Sequence, residues 1–125
     1  MDLNIKVLVV EDYEKMRRIM KEALKLMGFN TIIESVDGRE ALKELKSEKI
    51  GLILADLYMP NMSGLDLLKA VKSDKNLKDI PFIMVTAEGQ KDNALEAIKA
   101  GVSNYIVKPF TPETLSDIIK KTLKE

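Results

Sequence analysis

Short apolar runs separated by amphipathic stretches recur five times along the chain, at Lys6–Val10, Thr31–Val36, Leu52–Ala55, Phe82–Val85 and Tyr105–Val107. Several are unbroken and rich in Val and Ile, which predicts strands covered on both faces. The stretches between them read as helices. Met16, Ile19, Met20, Ala23, Leu24 and Met27 form one stripe, and Gly28 follows where a left-handed cap is wanted. Asp37 with Glu40 is a capping pair opening a helix that carries Ala41, Leu42 and Leu45. Leu65, Leu68 and Val71 mark a third helix, and Ala94, Leu95 and Ile98 a fourth that closes at Gly101. Thr111-Pro112 starts the last, with Leu115, Ile118, Ile119 and Leu123 on its apolar side.

Strand alternating with helix argues for parallel βαβ units with right-handed crossovers, so the expected fold class is α/β, a (βα)5 layout around one open five-stranded sheet. The length, 125 residues, suits a single domain. The polar stretch Asp74–Asp79 is a surface loop too short to separate domains. Twenty basic residues balance twenty acidic ones, leaving no global field to attract nucleic acid. The chain has no cysteine, which removes disulfide and thiol chemistry, and no histidine, which removes imidazole catalysis and His-type zinc sites. The apolar run at Ile5–Val10 is too short for a signal-peptide core and Lys6 interrupts it, so a soluble, cytoplasmic protein without a membrane span is expected.

In an open parallel sheet, ligands bind beyond the carboxyl ends of the strands. Glu11 and Asp12 follow the first strand, the third ends at Asp56, the fourth at Thr86, and the fifth at Lys108 before Pro109. Singly, each has an ordinary explanation: Asp12 as a helix cap, Asp56 opening the turn toward Pro60, Thr86 as a strand residue, Lys108 as a solvated end. Jointly, three acids, a hydroxyl and an amine on one edge make coherent chemistry. Hard oxygen ligands without Cys or His suit Mg²⁺. A carboxylate can attack a phosphorylated donor to form an acyl phosphate, with the cation and Lys108 neutralising the transferring group. Three carboxylates and one lysine carry a formal charge of −2, which one Mg²⁺ cancels.

Glu11-Asp12, Asp56 opening Asp-Leu-Tyr-Met-Pro-Asn-Met-Ser-Gly, Thr86-Ala87-Glu88, and Tyr105 with Lys108-Pro109-Phe110 together resemble the signature of the response-regulator receiver family, over the whole chain. Met16-Arg17-Arg18-Ile19, Met59-Pro60-Asn61-Met62 and Lys108-Pro109-Phe110-Thr111 are similar to the chemotaxis, or CheY-like, branch. The resemblance implies one flavodoxin-like receiver domain over 1–125 with strand order 2-1-3-4-5. It implies Asp56 as phosphoacceptor, and Asp12, Asp56, Glu11 through water and the Tyr58 backbone carbonyl as the Mg²⁺ shell. Thr86 and Lys108 would hold the phosphoryl group, and Tyr105 would be the aromatic that moves with Thr86. A cis Lys108–Pro109 bond is expected on the same grounds, since X–Pro bonds tolerate cis.

The implied function is that of a stand-alone switch, not a turnover enzyme: phosphorylated by a CheA-like histidine kinase, dephosphorylated slowly by itself or by a phosphatase, and read by a flagellar motor switch or other output protein on the helix 4–strand 5–helix 5 face. The alternative in the same fold is a phosphorelay intermediate that passes its phosphoryl group to another histidine protein. An electron carrier fits poorly, because the acidic first loop is no phosphate cradle. A metal-dependent hydrolase would need a cap domain. The sequence departs from the chemotaxis pattern at Glu11 (usually aspartate), at Tyr58 (asparagine) and at Ile118 (a lysine on the partner face), whereas Lys91 is retained. Arg17 and Arg18 fall off the first helix's apolar stripe and read equally as solvated charge or partner contact.

Overall fold

Runs of Val, Ile and Leu with no polar alternation need protein on both sides, and a computed structural model of the chain supplies it. It describes residues 1–87 and 91–124; Glu88 and the side chain of Lys91 lie outside the described residues. Five strands, β1 (Lys6–Val10), β2 (Thr31–Ser35), β3 (Ile50–Asp56), β4 (Phe82–Ala87) and β5 (Asn104–Lys108), alternate with five helices. The helices are α1 (Glu14–Met27), α2 (Gly38–Ser47), α3 (Gly64–Ser73), α4 (Lys91–Lys99) and α5 (Pro112–Leu123). All strand pairs are parallel, in the order β2-β1-β3-β4-β5.

The central strands β1, β3 and β4 are buried almost throughout, while β2 and β5, at the sheet edges, are buried in part. One core layer joins Leu8, Ile53, Ala55 and Phe82 to Leu67, Leu68 and Val71 of α3. The other joins Val7, Val9, Leu54 and Val85 to Met20 and Leu24 of α1 and Leu115 and Ile119 of α5. No described helix is long and apolar enough to cross a membrane.

The local signals act as expected. Gly28 closes α1 at φ 104, in the left-handed region that a Cβ disfavours. Asp37 accepts from the Glu40 N–H at α2, and Thr111 accepts from the Thr114 N–H at α5. Gly64 opens α3 so close to β3 that a Cβ there would run into the Asp56 carbonyl oxygen. The amphipathic stripes are corrected in two places. Ile19 on α1 is exposed, and among the described side chains of α4 the buried ones are the small Ala94 and Ala97, leaving Leu95 and Ile98 outside at 55% and 51% exposure. Ile118 packs against the α1/α5 core layer.

Candidate functional site

Parallel register brings the strand ends together. Val10 lies beside Ala55, so Glu11 and Asp12 emerge next to Asp56, the last residue of β3. Asp56 pairs with Val85, one residue before Thr86, and Ala87 pairs with Lys108 at the end of β5. The lysine therefore stands two strands away and reaches back across β4. Its Nζ lies 2.9 Å from Asp56 Oδ1 and 3.6 Å from Glu11 Oε1. Lys108 and Pro109 are joined by a cis peptide bond.

The ligand oxygens of Glu11, Asp12 and Asp56 all lie within 4.8 Å of one another. Glu11 is 1% exposed, Asp56 and Thr86 are buried as well, and Asp12 is open to solvent. Glu11 Oε2 accepts from the Tyr13 N–H at 3.1 Å, but the buried Oε1 has no hydrogen-bond partner. An anionic oxygen left in that state is costly. Burial first, and the Asp56 charge second, push the Glu11 carboxyl up to about 7. Burial also raises Asp56, against the pull of Lys108 and of the Tyr58 N–H. Burial works against the charge on Lys108, yet the Asp56 carboxylate outweighs it and the lysine is held above its ordinary value. Hard oxygen donors, two of them poorly compensated, fit a small divalent cation, with Asp12 at the open side of the cluster.

Of the remaining candidates, Tyr58 lies on the loop after β3, its N–H bonded to Asp56 and its side chain 52% exposed. Tyr105 is also outside the core at 39% exposure, on the same face of β5 as the exposed Val107. Arg17 is neither free surface charge nor a free partner contact. Its guanidinium donates to the Glu11 backbone carbonyl at 2.8 Å and to Glu34 Oε1 at 3.0 Å, while Lys21 holds the other Glu34 oxygen at 2.8 Å. The Lys21 hydrogen bond first, with help from Arg17, keeps Glu34 below its ordinary pKa. Arg17 thus braces the start of the acidic loop from α1, a contact between elements that periodicity does not carry. Arg18 remains exposed, beside Glu14 on its own helix.

Residues 7–120 match the response regulator receiver domain family. The chain is 44% identical over 118 residues to the chemotaxis protein CheY-3 of Vibrio cholerae, covering 94% of this chain and 91% of the relative. It is 45% identical over 117 residues to the chemotaxis protein CheY of Pseudomonas aeruginosa, covering 94% of each. Among solved structures, the chemotaxis response regulator CheY4 of Vibrio cholerae superposes with a TM-score of 0.89 at 32% identity, covering 96% of this chain and 99% of that one. The signal receiver domain of a signal transduction histidine kinase from Syntrophus aciditrophicus gives 0.87 at 28% identity, covering 95% and 89%. Strand order, strand-end chemistry and these likenesses agree: the chain belongs to the response regulator receiver domain family, as a CheY-like receiver of a two-component system.

Proposed function

We propose that residues 1–125 act as one cytoplasmic phosphoacceptor switch, charged on Asp56 by a histidine kinase and read by a protein partner. The observation that carries this reading is the Lys108 ammonium 2.9 Å from the Asp56 carboxylate, beside two further carboxylates. A carboxylate oxygen of Asp56 attacks phosphorus, the P–N bond to the kinase imidazole breaks, and an acyl phosphate forms on Asp56. Lys108 and the Thr86 hydroxyl hold the oxygens of the transferring group, which is what phosphoryl transfer chiefly requires of a protein. Mg²⁺, held by Asp12, Asp56, the Tyr58 carbonyl and Glu11 through water, would supply the neutralising charge. Hydrolysis of the acyl phosphate resets the switch slowly, by itself or with a phosphatase, so the protein is no turnover enzyme.

Output follows from Thr86 being drawn to the phosphoryl group, with Tyr105 repositioned on β5. The exposed Leu95, Ile98, Tyr105 and Val107 place unpartnered apolar surface on α4 and β5, which supports protein recognition on the α4–β5–α5 face. The chemotaxis relatives favour a CheA-like kinase and the flagellar motor switch as partners. The test is capture of a flagellar switch component by phosphorylated and unphosphorylated protein. Binding only after phosphorylation is expected, and equal capture in both states would refute the output assignment. The likeness to a receiver of a histidine kinase favours a second reading, a phosphorelay intermediate. That reading requires the label on Asp56 to pass to a histidine phosphotransfer protein faster than it hydrolyses.

Tyr58 bears on the lifetime of the phosphorylated state. It stands two residues after Asp56 and half its side chain is covered by protein. A ring there narrows the approach of attacking water while leaving an open side for the donor. Tyr58→Asn is expected to shorten the phosphoryl half-life several-fold, up to about tenfold for about 1.4 kcal/mol on the barrier. The comparison is made in Mg²⁺ without phosphatase, and an equal or longer half-life in the variant overturns it.

A further inference from the structure

The loop between β3 and α3, which carries Tyr58, is anchored on an element outside the acidic cluster. Asn61 has φ 67, the one positive φ outside glycine among the described residues. Asparagine tolerates that conformation better than most side chains, but something must still hold it there. Its Nδ2 donates to Asp37 Oδ2 at 2.7 Å. The other oxygen of Asp37 accepts the Glu40 N–H at 2.9 Å, so one carboxylate both caps α2 and grips the loop. These two bonds, the Glu40 one first, hold the Asp37 carboxyl below its ordinary pKa.

Two further contacts join the same pieces. The Gly38 N–H donates to the Met62 carbonyl at 3.3 Å, and a Cβ at Gly38 would lie 2.7 Å from Met62 Cγ. The Gly64 N–H donates to the Leu57 carbonyl at 2.8 Å, closing the loop at its base. The backbone from Tyr58 to Met62 is therefore pinned at its base by the Gly64–Leu57 bond, just beyond β3, and on its flank by the first turn of α2 and its cap.

We propose that Asp37 and Asn61 are positioning residues for the acceptor loop: their hydrogen bond holds the Tyr58 backbone against Asp56 and so sets the affinity of the site for Mg²⁺. This rests on the reading of Tyr58 as a metal ligand through its carbonyl. Neither residue touches a reacting atom. Groups that orient metal ligands from behind affect affinity strongly because they restrict the ligand's freedom.

Two substitutions in the full chain separate this role from plain stability. Asn61→Gly keeps a residue at ease with positive φ and removes the side-chain grip. Asp37→Ser keeps an N-cap for α2 but is too short to hold Asn61. Mg²⁺ dissociation constants are read from the Tyr58 and Asp56 amide signals during titration with the metal alone. Hydrogen exchange of the Gly38 amide reports the grip itself. Each single variant is expected to bind Mg²⁺ about tenfold more weakly and to exchange Gly38 faster. The double variant should be no worse than the weaker single, since both remove one interaction. Phosphorylation by acetyl phosphate should slow at limiting Mg²⁺ and recover at saturating Mg²⁺. Variants that melt lower yet bind Mg²⁺ like the parent overturn the proposal, as do losses that simply add. A parent that binds no Mg²⁺ at these amides overturns the metal reading together with it.

Discussion

Asp56→Asn is expected to abolish phosphorylation by acetyl phosphate in Mg²⁺, a loss of more than about 1,000-fold, or about 4 kcal/mol on the barrier. The amide keeps the shape of the carboxylate but is a poor nucleophile and a poorer ligand for a hard cation. It also removes the anion that Lys108 meets at 2.9 Å, so the ammonium loses its strongest partner. Glu11, 3.6 Å from the lysine and deprived of its Asp56 neighbour, becomes the acid that Lys108 pairs with. The fold should survive, because Asp56 is itself disfavoured as a buried anion and its pKa is raised. Intact-mass measurement decides the matter. The parent should gain one phosphoryl group, lost on treatment with hydroxylamine as an acyl phosphate requires, and the variant none. Labelling of the variant at the parental rate would move the acceptor elsewhere.

Glu11→Gln is expected to stabilise the metal-free protein at pH 8. The Glu11 carboxyl is pushed from 4.5 to about 7 by burial and by Asp56. Between those pH values the folded protein holds a proton that the unfolded chain has released, so stability falls as pH rises through the interval. The full shift corresponds to about 3 kcal/mol, which is the most that the charge on Glu11 can cost the folded protein by pH 8. The neutral amide can keep the bond from the Tyr13 N–H without burying a charge. The variant should therefore melt higher than the parent at pH 8 and show a flatter stability profile between pH 4.5 and 7. Asp37 and Glu34, whose pKa values are lowered, act in the opposite sense: their stabilisation is lost as pH falls below the ordinary carboxylate range. Mg²⁺ should restore the parent above pH 7 by binding the folded state alone, at about 2.7 kcal/mol for a concentration 100 times Kd. It should stabilise the variant less. Coincident melting curves of parent and variant at pH 8, or no effect of millimolar Mg²⁺ on the parent, would count against this account of the acidic cluster.

The apolar runs, the caps at Asp37 and Thr111 and the stop at Gly28 were all legible in the sequence, because each depends on residues a few positions apart. Runs of Val and Ile announce a strand covered on both faces wherever its neighbours come from. The strand-end chemistry was legible too, once parallel crossovers put every carboxyl end on one edge. The strand order came from resemblance, since periodicity does not say which strands become neighbours. Asp74–Asp79 reads as a loop and forms turns, and the strand boundaries move by at most two residues.

Tertiary structure decided what depends on distance between elements. A helix stripe gives the direction of an apolar face but not its width. Because the buried positions among the described side chains of α4 are the small Ala94 and Ala97, Leu95 and Ile98 remain outside. The roles of Arg17 and of Asn61 follow from partners at Glu34 and Asp37, which other elements supply. The charge state of Glu11 was likewise invisible, since its residue type only permits a metal ligand. Its raised pKa, and the oxygen without a hydrogen bond, arise because β1 and β3 end side by side and bury Glu11 next to Asp56. Residue types and local spacing set what each element can be and which chemistry it can bring. Burial and electrostatic coupling exist only between groups that the fold has already brought within a few ångströms.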